Sequence, residues 1–529
     1  MTRSDFDTFL KIKKMDLKFN FPKMKILGDS RPQWSSNFVY ILAAIGCAAG
    51  LGNLWRFPML AYEHGGGAFV FAILICNIVL VFPLVMMETV VGQKFKLAGA
   101  QAFEKIKKGT SWILWLPVFA LFFILMFYVP ILAWGIKYLG LSISGNFLVD
   151  PTNFFTEKVI HLSPGISTTG NFQWGLFSAV VASCAFVLFA LRKNVLSLSP
   201  IVKITATAPF FLLLILLIRG VTLPGASDGL SAFFLPHWES LLDVKLWQAA
   251  LGQSFFSASL ALGYFMIAGS HRGEKDEIAK SSLWILVGNF IVSLLAGITV
   301  FATIGFMALQ KGIPISEAAT GGPMLVFSVL PTAVSMMPTG AIIFAVLLFL
   351  VVITLAIDSI FGIFEIIVGS FHDFWKKTNY FRTACWIAVI IAIGSLPFLT
   401  GAGMYFLDIT DHFVTGYGVL FVGMLETFVL AYLVGAEKVR GWINHTATNL
   451  KIGKWFNCVL YAAPVFIAFL ISVTLREEVS QIYGGYPIEY VVGFGFLPLV
   501  LIFVFAIIFG IFTHRKFKKH GLHLPSLKK

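Results

Sequence analysis

Apolar runs of about twenty residues recur from residue 37 to residue 514, and this recurrence constrains the fold more than any local motif. In lipid every backbone polar group must find its partner inside the protein, and a run of that length does so as a helix. We place twelve, at 37–61, 68–95, 111–141, 173–192, 196–218, 244–270, 281–310, 339–372, 382–399, 408–434, 457–475 and 490–514. Hydrophobic residues make up 58% of the chain and charged residues 12%, about half the charged share of a soluble domain. The expected fold class is therefore an all-α membrane protein with twelve transmembrane helices.

The net charge of +13 invites a nucleic-acid reading, but its distribution assigns it to orientation. An even number of spans puts both ends on one side. Of the 39 Lys and Arg, 31 fall in the tails and loops of that side. Five sit in the opposite loops (Lys158, Arg219, Lys245, Lys311, Arg476), and three lie within or at the ends of spans (Arg56, Lys137, Lys203). By the positive-inside rule both termini are expected in the cytoplasm. Attraction to anionic membrane lipid is a secondary effect, and no nucleic acid is expected as a partner. Residues 1–33 lack the apolar core and cleavage site of a signal peptide, so the first span is expected to act as the targeting signal. The five cysteines have no metal-ligand spacing and none lies in an outer loop, which argues against a zinc site or disulfide framework.

Two spans are interrupted. In the first, Gly46-Cys47-Ala48-Ala49-Gly50-Leu51-Gly52-Asn53-Leu54-Trp55-Arg56-Phe57-Pro58 combines helix-weakening glycines with a proline, and the chain is expected to unwind there. In the sixth, Phe255-Phe256-Ser257-Ala258-Ser259-Leu260-Ala261-Leu262-Gly263 turns small and hydroxylated. Unwound backbone at bilayer depth is tolerated only against protein or a water-filled cavity, so both stretches are binding-site candidates. Breaks five spans apart fit two five-span halves of opposite orientation with a site between them near the midplane. The expected organisation is a tail at 1–36, a first repeat at 37–218, a second at 219–434, two further spans at 435–514 and a basic tail at 515–529. Segments 142–172, 219–243 and 310–338 are rich in Pro and Gly and read either as covers over the mouth of a pathway or as ordinary loops. Asp358, a mid-span carboxylate, is costly unless paired, hydrated or metal-bound.

Taken in order, Trp34, Gly50 to Pro58, Gly65-Gly66-Gly67-Ala68-Phe69, Glu88, Phe127-Tyr128, Trp134, Gln253 to Gly263, Asn289, Thr354-Leu355-Ala356-Ile357-Asp358-Ser359 and Asp411 resemble the neurotransmitter:sodium symporter family of LeuT-type transporters. The resemblance runs over nearly all of residues 31–434. It implies a LeuT-like 5+5 inverted repeat with broken helices 1 and 6, two extra helices, two sodium sites and one substrate site. The first sodium site would use the Ala48 carbonyl, Asn53, Ser257 and Asn289, completed by the substrate carboxylate. The second would use the Gly46, Ala49 and Leu355 carbonyls with Asp358 and Ser359.

The same resemblance implies a substrate pocket of Ala48, Gly50, Leu51, Gly52, Ile124, Tyr128, Phe256, Ser257, Ser259, Leu262, Ser359 and Ile363. The Leu51 and Gly52 amides would hold a carboxylate at a half-helix N-terminus. Gly50 stands where monoamine-carrying relatives place an aspartate, so the substrate is expected to bring its own carboxylate. An uncharged, mostly apolar lining points to a neutral, hydrophobic amino acid. Arg56 with Asp411 would form the outer gate, and Arg31 with Asp373, beside Trp34, the inner one. Glu88 would hydrogen-bond the unwound stretch of span six. Chloride stays open: Gln253, Ser257, Asn289 and Ser293 fit an anion site, but Ile73 replaces an expected tyrosine. Further departures are Cys47, where an asparagine is common, and His271, where a tyrosine often caps the inner gate. The implied activity is sodium-coupled symport by alternating access in the plasma (inner) membrane, as a monomer or homodimer. The same fold with proton coupling through Asp358, or a non-transporting amino-acid sensor, is the alternative. No HExxH, GxSxG or polar stripe supports an enzyme or a channel.

Overall fold

The structure, a computed structural model, describes residues 31–519 apart from Asn194, Lys376, Lys377, Asn449 and Gln481. Residues 1–30 and 520–529 of the expected tails lie outside the described residues. Among the described residues there is no strand, and helices follow the apolar runs. In chain order they are α1 (Asn37–Ala48), α2 (Leu51–Glu63), α3 (Gly67–Phe95), α4 (Gly99–Ile106), α5 (Ser111–Ile143) and α6 (Trp174–Ala190). Next come α7 (Ser197–Val221), α8 (Ala226–Phe234), α9 (Val244–Ser257), α10 (Tyr264–Ser270), α11 (Ile278–Lys311) and α12 (Gly322–Ser335). The last five are α13 (Ala341–Trp375), α14 (Tyr380–Gly394), α15 (Gly403–His445), α16 (Trp455–Ser480) and α17 (Ile488–Lys519).

By length and composition, eight of the described helices can cross a membrane, or nine with α1 and α2 counted as one bent span. α6, α12 and α14 are apolar but shorter, and the sixth run is divided between α9 and α10. Helix α5 is the centre of the bundle: 89% of its apolar window is buried, against 22% for α7. It runs beside α13 on one side and α17 on the other.

The first break is narrower than the sequence suggests. Only Ala49 and Gly50 leave the helical conformation, and α1 and α2 meet there at 56°. Gly52 to Pro58 remain helical, with Pro58 inside α2. Glycine and proline weaken a helix in isolation, but at bilayer depth the backbone has no water to bond instead, so it stays helical wherever it can. The second break is a true unwound stretch from Ala258 to Gly263 between α9 and α10. Ser259 (φ 53°) and Ala261 (φ 61°) adopt the left-handed conformation, which costs roughly 1–2 kcal/mol for a residue with a Cβ. Glu88 on α3 holds this turn, its Oε1 accepting from the Ala261 amide at 2.7 Å.

Close approach needs other glycines. A Cβ on Gly92 of α3 would fall inside the Met266 carbonyl of α10, and one on Gly229 of α8 would fall inside the Phe301 carbonyl of α11. Of the three loop segments, 310–338 reaches the central cavity through Gly321, Gly322 and Pro323. Segment 142–172 instead docks on the chain before α15, where the Ser163 amide donates to Gly401.

Candidate functional site

Both breaks border one polar cluster. Asn53 lies in the first turn of α2, Ser257 ends α9, and Asn289 and Ser293 stand four residues apart on α11, hence on one face. Asn53 Nδ2 lies 3.1 Å from Ser257 Oγ, 2.9 Å from Asn289 Oδ1 and 2.8 Å from Ser293 Oγ. Asn289 Nδ2 donates to Ser257 Oγ at 2.9 Å. Three oxygens thus converge on an amide with two protons, leaving lone pairs in excess. Ala48 stands nearby at the end of α1, its carbonyl accepting from the Gly50 amide at 2.9 Å.

A second group sits where α13 crosses α1. A Cβ on Gly46 would lie 2.7 Å from Asp358 Oδ2, so the carboxylate lies directly on the α1 backbone. Thr205 of α7 donates to Asp358 Oδ1 at 2.5 Å, while Oδ2 is buried without a hydrogen-bond partner. Ser359 Oγ lies 3.3 Å from both the Leu355 and the Cys47 carbonyl. Gly46, Leu355, Asp358 and Ser359 therefore lie together, and the amide of Ala49 donates to Ile45 at 2.6 Å. Sequence reasoning missed Thr205 and the Cys47 carbonyl. Thr205 gave no signal because a threonine inside an apolar helix bonds its own backbone, as its Oγ1 does to Ile201 at 3.2 Å.

Between the groups lies a cavity of about 290 Å³. Ala48, Gly50, Leu51, Gly52, Ile124, Tyr128, Phe256, Ser259, Leu262, Ser359 and Ile363 line it. Ser257, expected in that lining, sits behind the wall because Asn53 and Asn289 hold its hydroxyl. Tyr128 Oη accepts from the Leu51 amide at 3.4 Å at the start of α2. Phe256 packs against Gly52, where a Cβ would come within 2.6 Å of its ring. Behind Asn53 is a crevice of about 10 Å³ between Gln253, Ser257, Asn289 and Ser293, with Ile73 and Asn77 in its wall. That is at the lower limit for a single water.

The cavity extends from the break in α1–α2 toward the end of the bundle where α2 finishes, past Arg56, Glu63, Asp408 and Asp411. Arg56 and Asp411, expected to pair, make no ion pair among the described residues. The Arg56 guanidinium carbon lies 5.5 Å from the Phe256 ring centre, and Asp411 accepts from Thr415. Both charges line the cavity, and each is engaged elsewhere, Arg56 over Phe256 and Asp411 with Thr415. Nearby, Tyr483 and Tyr486 donate to Asp408 at 3.2 and 2.9 Å, and burial followed by the Asp408 charge raises both phenols above their usual range, keeping them donors.

The opposite end, which carries residue 31, is closed. Arg31 pairs with Asp373 at 3.3 Å, and the Ala98 amide donates to the same carboxylate at 2.7 Å. Trp34 Nε1 donates to the Ala268 carbonyl at 3.0 Å.

The model of the sodium:neurotransmitter symporter family matches residues 31–148 and 145–516. The chain is similar to an uncharacterized sodium-dependent transporter of Methanocaldococcus jannaschii, at 32% identity over 480 residues, 90% of this chain and 97% of that one. It is 30% identical over 419 residues to the sodium- and chloride-dependent GABA transporter 2 of Rattus norvegicus, covering 72% of this chain and 69% of the relative. It is 29% identical over 502 residues to the sodium-dependent dopamine transporter of Bos taurus, covering 88% and 72%. These relatives are transporters, not enzymes, and with the apolar helices and the two polar groups they settle the class. The chain belongs to the sodium:neurotransmitter symporter family and is a multi-pass membrane transporter with sodium as its coupling ion.

Proposed function

We propose that this transporter carries a neutral, hydrophobic amino acid together with sodium by alternating access, with twelve crossings built as two inverted five-helix repeats plus two helices. The single observation that carries the reading is the Asn53–Ser257–Asn289 cluster, which joins both helix breaks at the wall of an uncharged cavity floor. One sodium would take the Ala48 carbonyl, Asn53, Ser257 and Asn289, a set whose surplus lone pairs suit a hard cation. The second would take Gly46, Ala49 and Leu355 carbonyls with Asp358 and Ser359, and the unpartnered Asp358 Oδ2 supports a cation there. The substrate carboxylate would meet the Leu51 and Gly52 amides at the N-terminus of the thirteen-residue α2, beside Tyr128, and complete the first sodium shell. Each ligand then supplies part of the other's site, so their affinities rise together.

Around the break in α1–α2 the cavity lining is apolar apart from hydroxyls, and a charged substrate side chain would be left without a counter-ion. By the positive-inside bias the end carrying residue 31 would face the cytoplasm, in the plasma (inner) membrane, and this would be the outward-facing form. The test is uptake into proteoliposomes. Accumulation of an amino acid under an inward sodium gradient with pH equal on both sides supports the reading, and undiminished uptake with choline in place of sodium overturns it. A second reading, proton coupling through Asp358, also draws on the unpartnered Oδ2. Under that reading uptake in choline would follow an inward proton gradient.

A further inference from the structure

We propose that His271 and Glu365 together form a proton-binding site that fastens the residue-31 end of the transporter shut. His271 follows the last residue of α10 and is only 3% exposed. Its ring lies between the segment that leads into α1 and the buried half of α13. Nδ1 is 2.6 Å from the Pro32 carbonyl, and Nε2 is 3.4 Å from Glu365 Oε1. Both neighbours are acceptors. A neutral imidazole has one N–H and one lone pair, so it cannot serve both. With Glu365 ionised and the ring neutral, a lone pair would face an oxygen on one side, out of reach of water.

One added proton removes the conflict wherever it resides. Either an imidazolium donates to a carboxylate, or a neutral ring accepts from a carboxylic acid while its other N–H serves Pro32. Tyr380 donates to Glu365 Oε2, so the other carboxylate oxygen is already served and the proton belongs on the Oε1–Nε2 side. The closed arrangement thus holds one proton more than a separated neutral imidazole and carboxylate.

The same residue is the joint between three elements. The Trp34 amide donates to the His271 carbonyl at 3.1 Å, so the leading segment is tied to α10 by backbone, and the His271 ring comes within 3.4 Å of Glu365 on α13. The surrounding charges come from every side. On the leading segment Arg31 pairs with Asp373 of α13. Next in chain, Arg272 lies 4.2 Å over the Tyr40 ring of α1, and Lys96 beyond α3 donates to its carbonyl. Tyr264 of α10 and Asp358 of α13 share with Glu365 and Trp34 a crevice of about 20 Å³. The three cations oppose an added proton, while Glu365 is the acid within ion-pair distance of the ring.

Asp358 and Glu365 are seven residues apart on one face of α13 and line the same crevice. Opening frees the ring from both acceptors and lets the proton leave. Closing therefore takes up a proton, and raising the pH favours the open form, by up to about tenfold in the open-to-closed ratio per pH unit. The inference needs only that this end opens during transport, so its failure would leave the proposed symport standing.

The test is a distance measurement by paired spin labels at the exposed Ser35 and Lys108, with Cys385→Ser and Cys458→Ser, in sodium-free nanodiscs from about pH 5.5 to about pH 9. The expected result is one short distance in acid and a growing longer population in alkali. His271→Gln, which cannot titrate, and Glu365→Gln, whose amide can donate to a neutral ring, are each expected to remove the pH response. The second variant serves if the first does not fold. A distance distribution independent of pH in the parent protein, or an unchanged pH response in either folded variant, would overturn the proposal.

Discussion

At Gly50 the space for a side chain is set by two oxygens: a Cβ there would lie 2.8 Å from Ser359 Oγ and 3.3 Å from Tyr128 Oη. A hydroxyl can rotate away from a methyl group, so Gly50→Ala is expected to keep substrate binding in weakened form. Gly50→Asp adds a charge against the substrate carboxylate and is expected to abolish amino-acid-induced thermal stabilisation while sodium alone still stabilises. Tyr128→Phe removes the acceptor beside the Leu51 amide; substrate affinity should fall by about 0.5–1.5 kcal/mol in a binding titration, with sodium affinity in the absence of substrate unchanged. Asn53→Ala differs in kind, because its amide meets Ser257, Asn289 and Ser293 at once. Sodium and substrate affinity should drop together in that variant, and an undisturbed sodium response would remove the proposed first site. These positions were legible in the sequence through residue type and order. Thr205 was not, since a threonine inside an apolar helix ordinarily bonds its own backbone.

Among the helices, glycine has two separate uses that sequence inspection reads as one. Gly50 sits at the break between α1 and α2, while Gly92 lies within α3 and lets α10 rest on its backbone. Small residues at such contacts let transmembrane helices approach closely. Gly92→Ala is therefore expected to lower thermal stability by about 1–3 kcal/mol or prevent folding, whereas Gly416→Ala in α15, where a Cβ meets nothing within 4 Å, should leave it unchanged. Thermal unfolding followed by size-exclusion chromatography distinguishes the two. The extent of each break was also beyond local reading. Gly52 to Pro58 looked unwound by composition and stayed helical, because at that depth the backbone can bond only to itself. Ser259 and Ala261 carry no sequence mark of a left-handed turn, and Glu88 from α3 supplies the acceptor that sustains it.

For the molecule as a whole, the cavity reaches one end of the bundle while the Arg31–Asp373 pair lies at the other, which under the proposed alternating access would be one end state of the cycle. Sodium should stabilise this state over potassium, by about 2.7 kcal/mol at one hundred times its dissociation constant, and a thermal shift that is equal in both salts would count against a sodium site in this conformation. The sequence by itself determined that the chain lives in lipid, which runs are helices and where two of them falter, because hydropathy and backbone freedom are properties of short stretches. It also carried the ordered residue set that marks the family. Only the tertiary structure decided which of those residues meet: Asn53 reaches Ser257 across 204 positions and Asn289 across 236, and Arg56 stands apart from Asp411. The contacts of His271 with Pro32 and Glu365 belong to the same class. Such pairings depend on how whole helices pack, and no local propensity encodes the distance between two faces that touch only after folding.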